Sequence, residues 1–233
     1  MAAAIQCLSG VLHVIVIGIV GSPAGGKSTV ARQLEAVGAT WINADLLARE
    51  VLERGEIQNR LLAHFGADIA SKSGQVDRAK LAAVVFGDDD SSRRSLTYLE
   101  GLVHPETRRL IESRLDEARQ SEASESTTLA QPIVVLDVPL LFEVGWDRCC
   151  DQVWCVDANS ALRLQRAAER GWNEGELQRR ESNQLTIEEK RRLSNVVIEN
   201  NGTLDKLHET VTQLWRSVES DAAAKTDDSH CQP

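Results

Sequence analysis

An apolar run from Leu12 to Val20, broken only by His13 and Gly18, empties into Gly21-Ser22-Pro23-Ala24-Gly25-Gly26-Lys27-Ser28. No other feature narrows the possible folds so far. Val and Ile without polar alternation are what a parallel strand covered on both faces requires. Val11 to Val20 reaches only half of the roughly 20 residues that a membrane-spanning helix needs, so a buried central strand is expected in its place. The glycine-rich segment fits the spacing G-x-x-x-x-G-K-[S/T]. Its glycines let successive amide N–H groups turn inward onto phosphate oxygens. Lys27 supplies a charge to the β- and γ-phosphates, the Ser28 hydroxyl can ligate Mg²⁺, and the helix that follows adds its positive end.

Further along, Thr40 to Asn43, Ile133 to Leu136, Gln152 to Val156 and Val196 to Glu199 read as strands. Between them, Leu46–Leu52, Ile57–Phe65, Arg78–Phe86, Ser91–Leu102 and Glu106–Gln120 carry apolar residues at three- and four-residue spacing, as helices do. Strands alternating with helices predict an α/β fold built on a five-stranded parallel sheet. Ser121 to Gln131 lacks any apolar period and reads as a solvated connection, and from Ser217 the composition suggests a disordered polar tail.

The net charge of −9 excludes a general nucleic-acid binder, which needs a basic footprint, so any anionic ligand must be held by a local cluster of Lys and Arg. Five cysteines with no Cys-x-x-Cys pair suggest reduced thiols in the cytoplasm rather than a disulfide framework or zinc site. Cys149 and Cys150 are read as packing residues, with a redox pair as the alternative.

A phosphate loop serves kinases, GTPases, transport ATPases and nucleotide switches alike. The chain has no Asn-Lys-x-Asp for guanine and no Leu-Ser-Gly-Gly-Gln of a transport ATPase. A small-molecule kinase is favoured over a switch or binding module. Asp45, at the end of the second strand, falls at the carboxyl edge of the sheet beside the loop. There it would accept or orient the proton of an attacking hydroxyl, or else cap the helix from Leu46. Asp137 closes a strand where phosphate-loop proteins hold Mg²⁺ through a carboxylate, the alternative being a turn residue. Arg163, Arg166, Arg170, Arg179 and Arg180 lie within 18 residues, either as a solvated helix face or as a lid whose guanidinium groups match phosphoryl oxygens.

These segments together resemble the dephospho-CoA kinase family from about Val14 to Leu214. The resemblance is carried by the loop, Asn43-Ala44-Asp45 with Leu47 to Val51, and Gly74 to Arg78 leading to Leu81 and Phe86. It continues through His104-Pro105 with Arg108, Val138 to Glu143, Arg166 with Arg170, Arg180 with Gln184, and Asn195 to Gly202. It implies a P-loop NTPase three-layer sandwich, with ATP phosphorylating the ribose 3′-hydroxyl of dephospho-CoA and Mg²⁺ as cofactor. The N-terminal extension is then 1–11, the kinase domain 12–216, its helical insert 46–120, its lid 163–184, and the tail 217–233. By position, Lys27, Asp45 and Arg166 would be catalytic. ATP would meet Gly21 to Thr29, Arg170, Asn200 and Gly202. Asp45, Arg49, His104, Arg108 and Leu140 would serve the acceptor, and Ser28 and Asp137 the metal. His104 also has a plainer reading, as the residue that sets up helix entry at Pro105. No membrane, nucleic-acid or obligate protein partner is expected. Two departures stand out: Asn43 replaces a usual Asp, and Ser22-Pro23-Ala24-Gly25 replaces a more usual Gly-Ile-Gly-Ser.

Overall fold

The computed structural model describes residues 14–87, 89–120 and 131–228. Five parallel strands, β1 (Ile15–Gly21), β2 (Thr40–Asn43), β3 (Ile133–Asp137), β4 (Gln152–Asp157) and β5 (Val196–Glu199), lie in the order β2-β3-β1-β4-β5. All seven β1 residues are buried, as the continuous apolar run requires. One face of the sheet packs Ile15, Ile17 and Ile19 against Val30, Ala31 and Leu34 of α1 (Lys27–Ala36) and against α9 (Leu204–Asp228). On the other face Gly18 is closely covered, because a Cβ there would stand 2.9 Å from Cys150 Sγ and 3.2 Å from Leu141.

The remaining helices are α2 (Ala44–Glu53), α3 (Gly55–Phe65), α4 (Arg78–Val85), α5 (Asp90–Gln120), α6 (Ser160–Glu169), α7 (Glu174–Ser182) and α8 (Ile187–Leu193). The chain forms two compact units, 44–114 and the remainder, so α5 runs through both. The helical unit has its own core around Val51, Ile57, Leu61, Ile69, Leu81 and Val85. Among the described residues no helix is long and apolar enough to cross a membrane.

Two sequence expectations are corrected here. The two helices expected on either side of His104-Pro105 are one helix, α5, with Pro105 inside it. Proline removes one backbone bond and crowds the preceding turn, at a cost of about 3 kcal/mol. Leu102, Val103, Ile111 and Leu115 are all buried along the same helix, and each contributes about 1.5–3 kcal/mol of apolar burial. Packing wins, and His104 marks no helix entry. The tail expected to be disordered from Ser217 is instead helical to Asp228. Val218 extends the stripe of Leu207, Val211 and Trp215 into the core, and that spacing outweighs the polar composition around it. The extension at 1–11 lies outside the described residues, as does the connection expected over Ser121–Gln131 except for Gln131, which is buried rather than solvated.

Candidate active site

The loop leaves the carboxyl end of β1, the central strand, where the chain's crossovers pass to opposite sides. Ligands of open parallel sheets bind at such a point. Two of its glycines are obligatory. At Gly21 (φ 145°) a Cβ would lie 1.9 Å from the Val156 carbonyl oxygen, and at Gly26 (φ 111°) it would lie 2.1 Å from Asn200 Nδ2. Ala24 takes a left-handed φ of 60° without being glycine. Its methyl is buried with Ala167, Leu177 and Trp172, contacts that offset the roughly 1–2 kcal/mol of strain. The changed loop sequence is thus matched by the helices that face it. Lys27 Nζ turns back to donate to the carbonyls of Gly21 at 3.1 Å and Ser22 at 3.2 Å. Ser28 and Thr29 follow in the first turn of α1.

A second layer grips this backbone. Asn200 Nδ2 donates to the Gly25 carbonyl at 2.8 Å. Arg166 donates from Nη1 to the same oxygen at 3.3 Å, and from Nη2 to the Asn200 carbonyl at 3.1 Å. Arg166, expected over the phosphates, is half-buried with its guanidinium on the carbonyls of Gly25 in the loop and of Asn200 just past β5. Arg170 is exposed at the end of α6, 5.6 Å from the Trp172 ring, which Arg180 also covers at 4.1 Å. Gly202 is exposed beyond β5, where a Cβ would come nearest to Lys206.

Asp137 is buried at the end of β3, in register with Ile19 on one side and Asn43 on the other. Asn43 Nδ2 donates to its Oδ2 at 3.4 Å, so the residue that replaces the usual Asp acts as a neutral partner of this carboxylate. Asp45 lies not at the strand end but in the exposed first turn of α2, which starts at Ala44. Asp45 is therefore inside the helix rather than at its cap, where the positive end of the helix favours its charge. Arg49 on α2 and His104 and Arg108 on α5 are also exposed, and Arg108 Nε bonds Glu112 at 3.2 Å. Leu140 is half-buried in the turn after β3.

A family model described as dephospho-CoA kinase matches residues 15–206. The chain belongs to the dephospho-CoA kinase family. It is similar to the dephospho-CoA kinases of Rhodopirellula baltica (40% identity, 87% of this chain and 90% of that protein) and Geobacter metallireducens (40%, 87% and 96%). Among solved structures it resembles TT1252 from Thermus thermophilus, with a TM-score of 0.67 at 35% identity over 88% of this chain and 98% of that one. The dephospho-CoA kinase from Campylobacter jejuni shares the fold, with a TM-score of 0.61 at 20% identity, over 88% and 97%.

In this member of the dephospho-CoA kinase family, several residues around the loop escape a reading of the sequence. Ser22 Oγ donates to Asp157 Oδ1 at 2.7 Å, and Arg191 bridges Asp157 Oδ2 at 3.3 Å and Glu199 Oε1 at 2.6 Å. Lys190 is only 2% exposed, with Nζ 2.5 Å from Gln184 Oε1 and 3.4 Å from the Gly21 carbonyl. Burial pushes its pKa below the usual lysine value, against the opposing pull of Glu143. A cavity of about 400 Å³ opens beside it, lined among others by Ser22, Pro23, Arg163 and Gln184. The only sequence signal for Lys190 is its place in a short charged helix, which normally means solvent. Cys149 and Cys150 both donate to the Trp146 carbonyl, at 2.9 and 3.3 Å, and are half-buried. A hydrogen bond from the Cys150 thiol holds the Cys149 thiol down at about 7, the direction a reactive thiol takes rather than an inert packing residue. Burial holds the Cys155 thiol up at about 11, which keeps it inert.

Proposed function

We propose that this chain transfers the terminal phosphoryl group of ATP to the ribose 3′-hydroxyl of dephospho-CoA, giving coenzyme A and ADP. The observation that carries this reading is the braced loop at the carboxyl end of β1, in a chain of this family. Lys27 draws charge from the β- and γ-phosphates, and the loop amides hold the same oxygens. Asp45 takes the proton as the 3′-oxygen attacks phosphorus and the bond to the β-phosphate oxygen breaks. Arg49, His104, Arg108 and Leu140 serve the acceptor, and Arg170 and Gly202 the ATP.

The Ser28 hydroxyl and the buried Asp137 carboxylate are hard oxygen donors, which fit magnesium. Among the described residues no cluster of three or more acidic, His or Cys ligands occurs, consistent with an ion held mainly through phosphate and water. When bound, magnesium would neutralise charge on the β- and γ-phosphate oxygens. Cytoplasmic operation goes with this reading, since ATP is available there and thiols stay reduced.

A coupled ADP-release assay tests the proposal. Turnover is expected with dephospho-CoA and magnesium, and its loss with excess chelator. Turnover with another hydroxylated metabolite and none with dephospho-CoA would overturn the acceptor assignment.

A further inference from the structure

Lys27 occupies two loop carbonyls, and it must release them if its ammonium is to serve the phosphates. A buried carbonyl left without a donor loses its hydration with nothing in exchange, which would oppose that release. Each of the two carbonyls has a second donor. The Ser22 carbonyl accepts from Gly25 N–H at 3.0 Å, and the Gly21 carbonyl lies 3.4 Å from Lys190 Nζ. We propose that Lys190 is a positioning residue for the phosphate loop, holding the Gly21 carbonyl so that Lys27 can leave it for ATP.

The surroundings of Lys190 suit a fixed brace rather than a mobile ligand. A reciprocal capping box joins Thr186 and Glu189 and sets the start of α8 one turn before Lys190. Gln184 Oε1 takes a second proton of the ammonium. The segment carrying Gln184 is pinned in turn, because Leu185 N–H donates to Glu143 Oε1 at 2.7 Å. A lysine that is 2% exposed has little freedom to swing, whereas Lys27 is only half-buried. The two ammonium groups thus divide the work: one stays and one moves.

The inference rests on reading the loop as the ATP site and is independent of the acceptor. The test is calorimetric titration of the full chain with ATP and magnesium, using wild type, K190M, K27A and the double variant. K190M is expected to raise the ATP Kd about tenfold, the equivalent of leaving one buried carbonyl unpaired. In the K27A background, where nothing has to leave Gly21, the same change is expected to matter less than about twofold. If K190M fails to melt cooperatively, Lys190→Gln, one bond shorter and uncharged, replaces it with the same expectation. An unchanged Kd would overturn the inference. So would an equal loss in both backgrounds, which would make Lys190 a structural residue only. Wild type that binds no ATP would sink the donor-site reading itself. Binding of ATP without turnover of dephospho-CoA would sink only the acceptor.

Discussion

Arg166 and Asp45 divide two chemical tasks that a sequence motif leaves joined. Two nitrogens of Arg166 are committed to the Gly25 and Asn200 carbonyls, so its first effect is on the shape of the loop. Arg166→Met is therefore expected to raise the KM for ATP more than it lowers kcat. Steady-state kinetics with varied ATP separate the two. A fall in kcat of about 10²-fold at unchanged KM would instead give the guanidinium a role on the transferring phosphoryl group. Asp45 has the opposite signature. It is exposed in the first turn of α2, where its charge is favoured and its oxygens remain accessible. Asp45→Asn preserves shape and removes the proposed base, so kcat should fall about 10²-fold or more with little change in the KM for ATP. An unchanged kcat would leave Asp45 only its favourable place at the helix start.

At the scale of elements, α5 is a helix that keeps a proline in its interior. The Thr107 hydroxyl bonds the Val103 carbonyl at 2.8 Å across the same turn, and buried residues on both sides hold the helix together. Pro105 itself is exposed, so replacing it restores a backbone bond without removing packing. Pro105→Ala should stabilise the chain by about 1–3 kcal/mol in urea unfolding. If the proline also sets the direction of His104, the same variant should raise the KM for dephospho-CoA while that for ATP stays put. A midpoint below wild type would mean that the helix is adapted to its proline. The loop-facing elements are legible to different degrees. β1, the loop and α1 are contiguous, and their signals are local: an apolar run, glycines at fixed offsets, then a helix. The bonds to Gly25 from α6 and from Asn200, just past β5, join residues 141 and 175 positions apart, and no local pattern announces them.

Across the whole molecule, a net charge of −9 coexists with a site for polyanions because the cations are gathered locally. Lys27, Arg166 and Lys190 meet the loop backbone, and Arg191 meets the Asp157 carboxylate that Ser22 also bonds. The same unit is closed along one face by α9, whose buried stripe includes Val218. A chain ending at Ser217 loses that side chain, about 1.5–3 kcal/mol of burial, and should melt several degrees below one ending at Asp228. Equal melting temperatures would return the segment to the dispensable tail that its composition suggests.

By itself the sequence determined the phosphate loop between strand and helix, the five-stranded parallel sheet and the placement of Asp137 at a strand end. Each of these follows from residues close together in the chain, where backbone sterics and hydrophobic period act directly. Only the tertiary structure decided that α5 continues through Pro105 and that α9 continues past Ser217. Packing against distant residues there outweighs a local breaker or a polar composition. It also decided the loop's partners. Asn43 became a hydrogen-bond donor to Asp137, Arg166 became a grip on Gly25, and Lys190 left the solvent for Gly21. A buried polar group must find its partner wherever the fold supplies one, and that choice is made in space rather than along the chain.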